Sequence, residues 1–211
     1  MRWNVIIVFV FLMFAGNIAA QTSIDLNAGI GVSHFIKIGR GLGNTFEPSL
    51  YQQYGGRLDI KVFNKLNFRL INAFSSYSCI VGLPDDFILD PRFPDYKDDH
   101  ARFYYYTLSL GLKYNLLAKL GIEGGLANNF YLKHTNEKKG LEWFTKIRKN
   151  NAALYWSIHY IFFDVVELGY VNHNYLHTFA QYPDDMIDIY FKNDVWYCYI
   201  SYKYIIKGKE K

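Results

Sequence analysis

Apolar and polar residues alternate one for one through eight separate stretches of the chain. The fourth is the clearest: Tyr104, Tyr106, Leu108, Leu110, Leu112 and Tyr114 oppose Thr107, Ser109, Gly111 and Lys113. A period of two places successive side chains on opposite faces, which is the geometry of a β-strand. The first stretch spans about 24–36, with Ile24, Leu26, Ala28, Ile30 and Val32 facing away from Asp25, Asn27, Gly29, Gly31 and Ser33. The second, 51–62, sets Tyr54, Leu58, Ile60 and Val62 against Arg57, Asp59 and Lys61. The third, 66–77, sets Leu66, Phe68, Leu70 and Phe74 against Asn67, Arg69, Ala73 and Ser75, blurred by Ile71-Asn72. The fifth (120–132) opposes Leu120, Ile122, Leu126 and Phe130 to Gly121, Glu123, Gly125 and Asn129. The sixth (154–162) opposes Trp156, Ile158 and Tyr160 to Tyr155, Ser157 and His159, and the seventh (165–174) opposes Val166, Leu168 and Tyr170 to Glu167, Gly169 and His173. The eighth, 195–204, puts Trp196, Cys198, Ile200, Tyr202 and Tyr204 on one face and Tyr197, Tyr199, Ser201 and Lys203 on the other.

The connections alternate as well. Tight turns are expected at 63–65, 115–119 and 162–164, and long polar segments at 39–50, 80–101, 133–153 and 176–189. An even number of antiparallel strands with short turns at one end and long loops at the other is the pattern of an outer-membrane barrel. The sequence therefore predicts an all-β, eight-stranded up-and-down transmembrane barrel, with both termini and the short turns on the periplasmic side and the long loops outside. Residues 142–149 could form a helical turn or two in the third loop.

Ahead of the strands, Met1-Arg2-Trp3-Asn4 is a short positive leader, 5–14 is apolar, and 15–20 is rich in small residues. This is the three-part signature of a secretory signal peptide, and its apolar run falls short of the roughly 20 residues that span a membrane as a helix. The expected division is a signal peptide at 1–20 and a barrel domain at 21–211. Ile18 is an imperfect residue before the cut, so an uncleaved anchor is the alternative; no cysteine follows to take a lipid. The chain carries a formal charge of +4, too small to imply a nucleic-acid partner, and aromatic residues make up 19% of it.

Pattern alone does not separate a membrane barrel from a soluble one with reversed faces. Residue types do. The polar face is rich in glycine (29, 31, 55, 111, 121, 125 and 169), which suits a crowded interior, and Tyr and Trp gather toward the ends of the apolar face, as in interfacial girdles. On these strands the mature chain resembles the small eight-stranded outer-membrane barrel family. Its closing strand, with Trp196, Ile200, Tyr202 and Tyr204, looks like the aromatic-ended signal read by the barrel-assembly machinery, although the tail 205–211 departs from the usual aromatic terminus. The resemblance implies fold and an outer-membrane location, with roles that range from tethering and adhesion to lipid-modifying catalysis.

In an eight-stranded barrel the interior holds side chains rather than a channel. The inward set is Asp25, Arg57, Asp59, Lys61, Arg69, Lys113, Glu123, His159, Glu167 and Lys203. Ions removed from water must be paired. Turn geometry predicts Asp59 opposite Arg69 and His159 opposite Glu167; a longer turn between strands four and five keeps Lys113 from Lys119 and leaves Glu123 for a lumen cation. Ser157, His159 and Glu167 are the candidate nucleophile, base and orienter of a lipid A-modifying hydrolase or acyltransferase, weighed against a purely structural polar network.

The loops add an acidic segment (Asp85, Asp86, Asp90, Asp95, Asp98, Asp99), echoed by Asp184-Asp185, and a basic one (Lys133, Lys138, Lys139, Lys146, Arg148, Lys149). The acidic spacing matches no divalent-cation loop. The basic loop could meet the acidic one or lipopolysaccharide phosphates. Cys79 and Cys198 sit on non-neighbouring strands and are expected as free thiols. The leading expectation is a monomeric outer-membrane protein, without metal or cofactor, that contacts lipid and lipopolysaccharide and acts through its loops. A lipid-modifying enzyme, a soluble exported ligand-binding barrel and a small pore are the alternatives.

Overall fold

The computed structural model describes residues 22–38, 49–81, 99–136, 147–181 and 190–206. The expected signal peptide, the loop residues Lys138, Lys139 and Lys146, the acidic runs 85–98 and 184–185, the segment 142–146 and the tail beyond 206 lie outside them.

Eight antiparallel strands, β1 (Thr22–Ile38), β2 (Ser49–Lys61), β3 (Leu66–Val81), β4 (Asp99–Asn115), β5 (Leu120–Asn136), β6 (Asn150–Phe162), β7 (Val166–Gln181) and β8 (Tyr190–Ile206), close into one barrel in sequence order. Closure leaves no edge strand, so every backbone ladder has a neighbour on both sides. The seam is β1 with β8, paired from Thr22↔Ile206 to Ile38↔Tyr190. Several strands run past the expected ends at the long-loop rim; β4, for example, begins at Asp99 rather than near Tyr104.

The stagger can be read from the register. Stepping sideways from Thr22 through Ile60, Phe68, Leu112, Gly124, Trp156, Asn172 and Trp196 arrives at Val32, ten residues up β1 from the start (22 to 32). A stagger of this size tilts the strands by roughly 40° from the barrel axis.

Inward residues are the odd-numbered ones on every strand below the long-loop rim, because each short turn preserves parity. Outward positions form a continuous apolar belt with Leu26 72%, Phe74 62%, Leu126 58% and Ile200 53% exposed. Aromatic rings bound it. Toward the long loops, Phe74, Tyr106 and Phe130 lie 5.8 and 6.0 Å apart by centroid, and Trp156, Tyr170 and Trp196 form a second cluster at 5.8–6.3 Å. Toward the short turns stand Tyr114, Tyr160, Phe162, Tyr202 and Tyr204. Tyr106 to Tyr114 and Trp196 to Tyr204 are each eight residues. That is ~26 Å along a strand and ~20 Å along the tilted axis.

Ile71 and Asn72, which blur the sequence pattern, are an inverted pair: Ile71 is buried in the lumen and Asn72 is exposed on the apolar belt. Glycine has a steric role at the seam. A Cβ on Gly31 would lie 2.0 Å from the Trp196 carbonyl oxygen and 2.4 Å from Tyr197 Cα, so no larger residue lets β1 and β8 close there.

Three turns set the registers. Between β2 and β3 the register runs Lys61↔Asn67 and Asp59↔Arg69, as turn geometry predicts. Between β4 and β5 the turn is long enough to bring Lys113 opposite Glu123. Between β6 and β7 the expectation fails: Ile161 pairs with Glu167 and His159 with Gly169, not Glu167. The cause is local. Phe163 (φ 51°) and Asp164 (φ 62°) are left-handed, and Val165 donates its N–H to the Phe162 carbonyl at 3.3 Å, so Val165 belongs to the turn. The pairing shifts by two residues, which keeps every side chain on its face.

Candidate functional site: the barrel interior

The interior has two levels. Near the short-turn rim the odd positions of β2, β3, β4, β5 and β7 converge on Arg69, which is 0% exposed. Its Nε and Nη2 donate to the two Asp59 oxygens at 2.6 and 2.7 Å, and its Nη1 donates to Glu123 at 2.8 Å and Glu167 at 2.9 Å. Nη2 also reaches the second Glu167 oxygen at 3.2 Å. Arg57 Nη1 donates to Glu167 at 3.2 Å, while Lys113 Nζ bonds Glu167 and lies 3.6 Å from Asp59.

Three cations and three carboxylates thus balance within one buried cluster. Such a cluster needs its remaining acceptor sites filled to offset desolvation. Tyrosines fill them: Tyr155 donates to Glu123 and Tyr199 to Glu167, both at 2.6 Å. Tyr199 lies in a layered stack, its ring over Gly169, where a Cβ would come within 2.4 Å, and the Arg57 guanidinium 3.6 Å from its centroid.

Other members of the expected inward set lie at the margin. Asp25 is buried opposite both Arg57 and Lys203 in register, and one of its oxygens is without a partner. Lys61 and Lys203 are half-buried near the short-turn rim. Glu123, expected to meet a lumen cation, accepts from Arg69 while facing Lys113 across the ladder.

The candidate relay is not assembled. Ser157 donates weakly to Glu123 at 3.5 Å, not to His159. Neither ring nitrogen of His159 has a hydrogen-bond partner, and the ring lies over Gly121. Glu167 is held by Arg57, Arg69, Lys113 and Tyr199. Hydrolysis by this trio would need a Ser–His–Glu chain of hydrogen bonds, and these side chains make none.

Toward the long loops the lumen is aromatic. Tyr51, Tyr77, Phe103, Tyr105, Tyr175, Tyr197 and His173 are all buried, with Tyr51–Tyr197 at 5.0 Å and Tyr77–Tyr105 at 4.9 Å. Ser75, Thr107 and Asn129 run a hydrogen-bond chain beneath them, 2.8 Å per link. Sequence reasoning credited aromatic residues chiefly to the outer girdles and missed most of this layer. The signal was parity: Tyr51 shares a face with Arg57, Tyr77 with Ser75, and Tyr105 with Thr107.

Among the described residues no group of three or more His, Cys, Asp or Glu side chains could hold a metal ion. Cys198 is a free thiol on the outer belt; the Cys79 side chain is outside the described part.

This architecture, a closed eight-stranded antiparallel barrel, is that of the small outer-membrane barrels. Neisserial surface protein A superposes with a TM-score of 0.51 at 11% identity, covering 87% of this chain and 97% of that one. The attachment invasion locus protein Ail of Yersinia pestis, solved with the heparin analogue sucrose octasulfate, superposes with a TM-score of 0.48 at 10% identity, over 88% of this chain and 100% of its own. No family model and no curated relative matches the sequence.

Proposed function

We propose that this chain is an outer-membrane barrel whose lumen is plugged by its own side chains and whose role is structural or interactive, exercised at the long-loop end. The observation that carries this reading is the double filling of the lumen, a charge-balanced cluster below a tyrosine layer, inside a belt of exposed aliphatic side chains. Water would not tolerate such a belt, whereas hydrocarbon requires it. A lumen occupied at both levels has no aqueous path for solutes. Trp196, Ile200, Tyr202 and Tyr204 all point outward from the closing strand, where the assembly machinery could read them before β8 meets β1.

Fractionation tests the class. The protein should require detergent for extraction and should migrate differently in gels before and after boiling; solubility in buffer alone would instead favour a soluble barrel. In planar bilayers it should give no stepwise conductance, and a steady open level would overturn the plug. The enzyme reading is tested by lipid A deacylase and esterase assays on Ser157→Ala and His159→Ala, where any parent activity lost in both variants would revive it.

A further inference from the structure

A β-bulge at the long-loop rim singles out one position on the outer face. Tyr106↔Phe130 and Tyr105↔Tyr131 pair regularly, and the next pair is Tyr104↔Lys133, which leaves Leu132 as an extra residue. In a regular ladder Leu132 would pair with Tyr104, and Lys133, an odd position opposite Phe103, would point into the lumen. With the bulge Lys133 turns outward beside Tyr104, its Nζ 5.2 Å from the ring centroid, and is exposed. Bulges commonly re-aim a side chain in this way.

Inward contacts hold the bulge in place. His134 turns into the barrel, stacks on Phe103 at 5.6 Å and bonds the Tyr131 hydroxyl through Nδ1 at 2.6 Å. Arg102 is the second cation. It is exposed between Ala101 and Phe103, which are buried, so it too faces outward, one outward position beyond Tyr104. Its cross-strand partners are Ser78 and Thr135, both neutral.

The height of the pair identifies the ligand. Tyr106 belongs to the upper aromatic ring, and Lys133 and Arg102 lie two and four residues beyond it along the ladder. With tilted strands this is ~5 and ~10 Å above the ring. Aromatic girdles mark the boundary of the hydrocarbon, so both cations stand at the headgroup level of the outer leaflet.

We propose that Arg102 and Lys133, presented by the Leu132 bulge, form a clamp for the phosphate groups of the outer-leaflet glycolipid. The guanidinium supplies paired donors to phosphate oxygens, and the ammonium supplies a point charge steadied over Tyr104. This rests on the barrel reading above, because only a membrane-inserted barrel holds these two side chains at that depth.

The test uses the full mature chain refolded into zwitterionic nanodiscs and titrated with diphosphorylated lipid A, dephosphorylated lipid A, phosphatidylglycerol and inorganic phosphate. The parent should prefer diphosphorylated over dephosphorylated lipid A by roughly 10-fold or more at low salt, and the preference should shrink as salt rises. Arg102→Gln with Lys133→Gln should abolish it. Equal binding of the two lipid A forms, or a preference that survives the double substitution, would overturn the clamp. Phosphatidylglycerol bound as tightly as lipid A, or inorganic phosphate competing at equal concentration, would overturn the glycolipid assignment. The heat-dependent gel shift is recorded on the same samples. A parent that keeps the shift without the preference refutes the clamp alone, whereas a parent without the shift refutes the barrel reading itself.

Discussion

Arg69 makes five hydrogen bonds to three carboxylates and has no exposure to water. Removing one partner from a buried ion cluster costs more than the cluster contributes, because the remaining charges stay desolvated and lose their counter-ion. Arg69→Met should therefore lower stability by about 3–5 kcal/mol, measured by urea unfolding in lipid vesicles. A loss under about 1 kcal/mol would mean that Lys113 and Arg57 suffice for all three carboxylates. The Asp59–Arg69 contact was legible in the sequence, since a short turn dictates which residues face each other. The convergence of Glu123 and Glu167 on the same guanidinium was not. Those residues lie 54 and 98 positions from Arg69, and only barrel closure brings them there.

At the level of the strand, two local features escape any alternation rule. The β6–β7 turn keeps Phe163 and Asp164 at positive φ, a region that side chains with a Cβ enter at a cost of about 1–2 kcal/mol each. Replacing the pair with Asn-Gly should raise the unfolding free energy by about 1 kcal/mol without changing the fold, as equilibrium unfolding can register. No loss of strain on this replacement would mean that Phe163 contributes as much by contact as it costs in backbone. Asn72 is the other feature. Its amide lies on the apolar belt, and a polar group facing hydrocarbon without a partner is costly. Asn72→Leu should stabilise the barrel in vesicles by about 1–2 kcal/mol. Destabilisation would instead reveal that the amide has a partner in the membrane. The β6–β7 register was misread for the same kind of reason: nothing in Phe-Phe-Asp-Val announces a left-handed pair, whereas a glycine would have.

For the molecule as a whole, strand count, order and facing were legible because a barrel repeats one rule eight times. Each strand alternates, and each short turn preserves parity. What the rule could not convey is how the interior divides, with ions at the short-turn level and phenols above, since both kinds of residue satisfy "inward". The Leu132 bulge was equally hidden, because an extra residue in one strand becomes visible only against its partner. Depth in the bilayer is the global property most open to measurement. Cys198 faces outward between Trp196 and Ile200, opposite Ile30 and Tyr170, one outward position below Trp196 and three above Tyr204. With Cys79→Ser leaving it the sole thiol, a membrane-impermeant maleimide should fail to label it in vesicles, and boiling in detergent should make labelling complete. A small lipid-soluble maleimide is the control for access. Rapid labelling by the polar reagent in intact vesicles would put water at this height and move the hydrocarbon boundary below Trp196. Arg102 and Lys133 would then stand too far above the headgroups to meet their phosphates, so this one thiol tests the depth on which the clamp depends.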